Sequence, residues 1–184
     1  MAVNLPGPPV VAEAAAGPPS AREAAPILIV DDLADKHLVF RSVLEELGEP
    51  VIGVRSGREA LAQLLAGSFA VILMDVNMPG IDGLETAQLV RGHPRSAHTP
   101  ILFVSAHMDD MQARRGYALG AVDYIPSPVV PQVLRSKVKV FVDLYRMQRQ
   151  LRRHAEERAA MARAEVARRA AEERQALLAR EVDH

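Results

Sequence analysis

Cysteine is absent from the chain, which excludes disulfides and thiolate metal sites while leaving the compartment open. Aromatic residues make up only 4%. No apolar run approaches the roughly 20 residues that a membrane span needs, and no basic-then-apolar signal opens the sequence. We therefore expect a soluble, cytoplasmic protein. Neither a Gly-rich phosphate loop nor a nucleophile paired with a histidine occurs, so catalysis on those patterns has no support. Lysine is scarce: 19 of the 22 basic residues are arginine, and the lysines are Lys36, Lys137 and Lys139. Glycine and proline are both missing after Pro131.

What is present suffices for one domain with appendages: 184 residues, 49% of them apolar. The net charge of −1 hides an asymmetry, since residues 1–131 carry 9 basic and 15 acidic groups and residues 132–184 carry 13 and 8. Residues 1–26 hold six of the 13 prolines among alanines and glycines. Such a segment buries too little apolar area to offset its ordering entropy, and we expect a disordered lead.

From Ile27 the pattern alternates. Short apolar runs at Ile27–Val30, Val51–Val54, Val71–Met74, Ile101–Val104 and Val122–Ile125 predict strands. Helices are expected at about Asp35–Leu47, after Ser56, after Gly83, and at about Asp109–Leu119. In the first, Leu38, Val39, Val43, Leu44 and Leu47 are expected on one face, with Gly48 as the stop. Ser56 and Glu59 form a capping-box pair. Serial β–α units imply a parallel sheet with right-handed crossovers and helices on both faces. A final helix from Pro131 would be roughly 80 Å long at ~1.5 Å per residue. Val138, Phe141, Val142 and Tyr145 suit its packing on the sheet. Beyond them Leu144, Leu151, Ala155, Ala162, Val166, Ala170 and Leu177 trace a near-heptad seam. A two-chain coiled coil is the preferred reading, with a solvated, frayed helix as the alternative.

Two of these strands end in acids. Asp75 closes Val71-Ile72-Leu73-Met74, and Asp31 and Asp32 follow Ile27-Leu28-Ile29-Val30. The carboxyl ends of strands in an open α/β sheet face the ligand crevice, so the three carboxylates suggest one shared acidic pocket.

The residues Ile29-Val30-Asp31-Asp32 and Leu73-Met74-Asp75-Val76-Asn77-Met78-Pro79-Gly80-Ile81-Asp82-Gly83 resemble the receiver domain of two-component response regulators. Val104-Ser105-Ala106 and Gly120-Ala121-Val122-Asp123-Tyr124-Ile125 support the likeness, which covers roughly residues 26–145. It implies a flavodoxin-like, five-stranded doubly wound parallel sheet, which the long C-terminal helix read from the sequence would follow. By resemblance, Asp75 would accept a phosphoryl group from a histidine kinase or phosphotransfer protein. Asp31, Asp32, Asp75 and the backbone carbonyl of Asn77 would hold Mg2+. Clustered carboxylates favour such a hard cation, which also neutralises phosphoryl oxygens. Ser105 would donate its hydroxyl to the phosphoryl group, and Tyr124 would switch with it. The plainer alternatives are helix N-caps for Asp31 and Asp32, an ordinary loop hydroxyl for Ser105 and core packing for Tyr124.

One position departs from the family. Ser127 stands where a lysine ordinarily precedes the proline after strand five, offering a neutral hydrogen bond in place of a fixed cation. Lys36 and His107 are the nearby groups that could compensate. The last eight residues, Leu177–His184, resemble the start of the phosphoacceptor box of HWE-type histidine kinases, in which His184 would be phosphorylated. On that likeness we expect the front of a longer protein, a receiver (27–145) joined by a helical stalk (146–184) to a kinase. Three functions follow. One is a phosphate-switched receiver, dimeric through its last helix. Another is a phosphate-independent dimerising scaffold, disabled at Ser127. The third is a DNA-binding regulator, which the glutamates among the tail arginines and the lack of a helix-turn-helix disfavour.

Overall fold

The computed structural model of the protein describes residues 23–107 and 109–182. Most of the expected lead (residues 1–22) and the expected phosphoacceptor His184 lie outside the described residues.

Strand and helix alternate through β1 (Ile27–Val30), α1 (Ala34–Leu44), β2 (Val51–Val54), α2 (Gly57–Ala66), β3 (Val71–Met74), α3 (Gly83–Gly92), β4 (Ile101–Ser105), α4 (Asp110–Ala118), β5 (Asp123–Pro126) and α5 (Pro131–Val182). All strands are parallel, in the order β2-β1-β3-β4-β5. The apolar runs form strands because both faces are covered. Ile27, Ile29, Val71, Leu73, Leu102 and Val104 point toward α1 and α5, while Leu28, Val30, Ile72, Met74, Ile101 and Phe103 point toward α2 and α3. Each such fully buried apolar side chain contributes about 1.5–3 kcal/mol. The chain turns from β2 on one side of β1 to β3 on the other, so the crevice opens at the carboxyl ends of β1 and β3.

Boundaries differ from the sequence expectation by a residue or two, and the reasons are local. α1 ends at Leu44 and continues as a 3-10 turn, Glu45–Leu47, before Gly48 stops it in the left-handed region at φ 66°. β5 runs one residue later than expected, because Pro126 pairs in register with Ser105 on the sheet's edge, where a missing N–H is tolerated. Ser56 does cap α2, accepting from the Glu59 N–H, but the Glu59 carboxylate takes the Arg55 N–H in place of that of Ser56.

The expected face of α1 needs correction. Leu38 and Val39 are 68% and 51% exposed, whereas Phe40, Val43 and Leu44 are buried, with Leu47 packed against them. Spacings of three, four and seven from Phe40 put those residues on one stripe, and the broader set read from the sequence spans two.

Ahead of β1, the chain is already docked. Ala25 is fully buried and donates its N–H to Glu49 Oε2 at 2.7 Å, and the Pro26 carbonyl accepts from Ala70. On the far side, α5 lays Leu134, Val138 and Val142 into the core. Arg146 pairs with the buried carboxylate of Glu49, and Arg149 with Glu23.

Candidate functional site

The sheet ladder itself delivers the acids. The Asp31 N–H bonds the Val54 carbonyl at 3.1 Å and the Asp75 N–H bonds the Val30 carbonyl at 2.9 Å, so both residues leave neighbouring strands at one level. Asp31 and Asp75 are 1% and 5% exposed, Asp32 is half-buried, and carboxylate oxygens of all three lie within 4.8 Å of one another. Neither Asp31 nor Asp32 is the cap of α1. Its N-cap is Leu33, with no side-chain hydrogen bond, although Asp31 Oδ1 accepts the Leu33 N–H at 2.9 Å.

The carboxylates stand on a braced backbone. The His37 ring donates to the Asp31 carbonyl at 2.7 Å, and the Arg55 guanidinium donates twice to the Asp32 carbonyl at 2.9 and 3.1 Å. Below β3, Gly83 begins α3 against the Asp75 peptide. A Cβ at that position would lie 2.0 Å from the Asp75 carbonyl oxygen, so a side chain there would displace the strand end. Sequence reasoning missed these supports, which become visible only when β1, β2 and α3 are brought together.

Lys36, on the first turn of α1, reaches into the pocket. Its Nζ lies 2.9 Å from Asp31 Oδ2 and 3.6 Å from Asp75 Oδ2. Burial opposes its charge, but Asp31 and then Asp75 together hold its ammonium above the ordinary lysine value. Burial pushes the Asp75 carboxyl up. Lys36 pulls it down, Asp31 and Asp32 push it further up, and a backbone N–H from Asn77 pulls against them.

Ser105 ends β4 fully buried. Its Oγ donates to the His107 carbonyl at 3.1 Å and accepts from Asn77 Nδ2 at 3.0 Å. Asn77 thus bridges β3 to β4 with its side chain, a role separate from the ligand role expected of its carbonyl. The Tyr124 hydroxyl donates to the Ser105 carbonyl at 2.6 Å, and the Ser127 N–H donates to the same oxygen at 3.0 Å. The Ser127–Pro128 peptide is cis. His107 turns its carbonyl to the site while the residue itself is exposed.

Three converging oxygen donors of like charge suit a hard divalent cation. Asp31 Oδ2 is buried and has no hydrogen-bond partner beyond the Lys36 ion pair. The residues present therefore fit Mg2+.

Fold and site together define a class: a doubly wound α/β module with an acidic, cation-suited pocket at its topological switch point. The family model described as "Response regulator receiver domain" matches residues 27–139, and the chain belongs to that family of two-component signalling. Chemotaxis protein CheY of Pseudomonas aeruginosa is 33% identical over 117 residues, 62% of this chain and 94% of CheY. The signal receiver domain of a signal transduction histidine kinase from Syntrophus aciditrophicus superposes with a TM-score of 0.60 at 32% identity, covering 65% of this chain and 91% of that one. Transcriptional regulatory protein ResD of Bacillus subtilis is 32% identical over 116 residues, 63% of this chain, and the chain spans 47% of ResD. No helix among the described residues is long and apolar enough to cross a membrane.

Proposed function

We propose that the protein accepts a phosphoryl group on Asp75 and passes that state to α5. The convergence of Asp31, Asp32 and Asp75, with Asn77 two residues past Asp75 bonded to the Ser105 hydroxyl, carries this reading. In the proposed reaction an Asp75 oxygen attacks phosphorus in line, while the bond from phosphorus to the donor's histidine nitrogen breaks. Asp31, Asp32, Asp75 and the Asn77 carbonyl would hold Mg2+, which when bound neutralises carboxylate and phosphoryl oxygens. The Asn77 N–H steadies the attacking carboxylate. Ser105 exchanges its bond to the His107 carbonyl for one to the new phosphoryl oxygen, and Tyr124, now tied to the Ser105 carbonyl, moves with it.

Output runs through α5, whose first turns lie against α1 and the sheet. We assign residues 27–145 to the receiver and 146–184 to a stalk that pairs with a second copy as a coiled coil. Control of a histidine kinase is the output we favour, supported by the likeness of Leu177–His184 to a phosphoacceptor box and by the Syntrophus kinase receiver. Ser127 favours a second reading, a scaffold that dimerises without using phosphate. Intact mass after incubation with Mg2+ and a small-molecule phosphodonor separates the two. One phosphoryl group gained by the wild type and not by Asp75→Asn supports the switch; no gain by the wild type supports the scaffold.

A further inference from the structure

The pocket has an ammonium on the opposite side from the one the family uses. On the β5 side Ser127 offers a hydroxyl and an N–H already given to Ser105. Lys137 is paired with Asp123 and Lys139 with Asp143, both away from the acids. Arg55 spends its guanidinium on the Asp32 backbone. Among the described residues, Lys36 is the cation whose charged atom reaches the carboxylates, at 2.9 and 3.6 Å. Its location is unfavourable for the helix, because a cation in the first turn opposes the macrodipole. Nothing within α1 asks for a lysine there, whereas the pocket does. With its side chain 26% exposed, it can move between partners without being dragged from the core.

We propose that Lys36 is the relocated phosphoryl-binding cation of this receiver: its ammonium meets the group on Asp75 and replaces the one that Ser127 cannot supply. The inference rests on the phosphoacceptor reading above. As the Asp75 oxygen forms its bond to phosphorus, the donor's P–N bond breaks and its electron pair leaves on nitrogen, which takes a proton from solvent. Lys36 gives up no proton; its charge meets the negative charge newly placed on Asp75. A second consequence follows from the shared oxygens. Lys36 neutralises Asp31 and Asp75 in the metal-free pocket, so it competes with Mg2+ for them. Its removal therefore shifts metal binding and phosphoryl acceptance in opposite directions, which a purely structural ion pair would not do.

The test measures phosphoryl gain from phosphoramidate with saturating Mg2+ by intact mass, and Mg2+ affinity by calorimetry. The proteins are wild type, Asp75→Asn, Lys36→Gln, and Lys36→Gln combined with Ser127→Lys. Losing one charge-assisted contact slows Lys36→Gln by about tenfold or more, while Mg2+ binds it more tightly. Adding Ser127→Lys returns the rate toward wild type, which also shows that the slow variant was folded. A Lys36→Gln protein as fast as wild type overturns the proposal, and so does a double variant that stays slow with an unchanged thermal midpoint. A wild type that gains nothing beyond Asp75→Asn overturns the receiver reading itself and this inference with it.

Discussion

Burial, Asp31 and Asp32 all oppose a charge on Asp75. Burial raises its pKa; Lys36 and the Asn77 N–H only partly offset that and the push from Asp31 and Asp32. A carboxyl whose pKa is higher in the folded protein favours folding in its protonated form. That support is full below the unfolded value of 3.8 and is lost as pH rises through the folded value. Asp75→Asn, neutral and nearly the same shape, should thus stabilise the metal-free protein at pH 7, a gain that shrinks as pH falls through the folded value and is gone below the unfolded 3.8. Thermal unfolding in EDTA resolves it, since each kcal/mol moves the midpoint by about 2–4 °C for a chain of 150–250 residues. Equal midpoints at pH 7 would mean that Lys36 already cancels the cost. On the Mg2+ reading proposed above, the cation should reverse the order: a ligand at 100 times its Kd adds about 2.7 kcal/mol to a protein that binds it, and the variant has lost one of the three carboxylates.

At the scale of elements, α1 separates what the sequence makes legible from what it does not. Strand positions and the acids at their ends were readable, because a four-residue apolar run between turn residues has few other uses in an alternating chain. The helix face was harder. Leu38, Val39, Phe40, Val43, Leu44 and Leu47 are all apolar, and only packing decides which stripe turns inward. Phe40→Ala should therefore cost about 3–5 kcal/mol, as for other buried aromatics, while Leu38→Ala should stay within about 0.5 kcal/mol. Chemical denaturation of the two variants checks this; comparable losses would put Leu38 inside. The sequence named Lys36, along with His107, as a group that could compensate for Ser127, but its reach to both Asp31 and Asp75 was not legible. Its 39-residue separation from Asp75 closes only because β1 and β3 are neighbours in the sheet. The scarcity of lysine, with one of the few placed in the first turn after the acid pair, was the available signal.

The whole molecule poses a question of stability that its domain does not answer. α5 is 52 residues long, about 78 Å at ~1.5 Å per residue, yet the domain holds only its first part. Leu134, Val138 and Val142 are buried, Arg146 clips to Glu49, and the Arg149 guanidinium sits 5.9 Å from the Tyr145 ring centroid while pairing with Glu23. Beyond that point Leu151, Val166 and Leu177 are 62%, 68% and 62% exposed. The helix is laced with Arg168 and Arg169 bridging Glu165 and Glu172, but exposed pairs of this kind contribute little. That is too little to hold so long a helix in water, where helical stability comes mainly from packing an apolar face. On the coiled-coil reading proposed above, a second copy of the same seam would supply that packing. Sedimentation of the full chain should therefore give a dimer, and Leu151→Glu combined with Val166→Glu should give a monomer with reduced helical circular dichroism. Phosphoryl gain on Asp75 should survive the change, because neither substitution touches the receiver. A wild type that sediments as a monomer with its helicity intact would sink the coiled coil, and the state of Asp75 would then have to leave the domain through the face that α5 shares with α1.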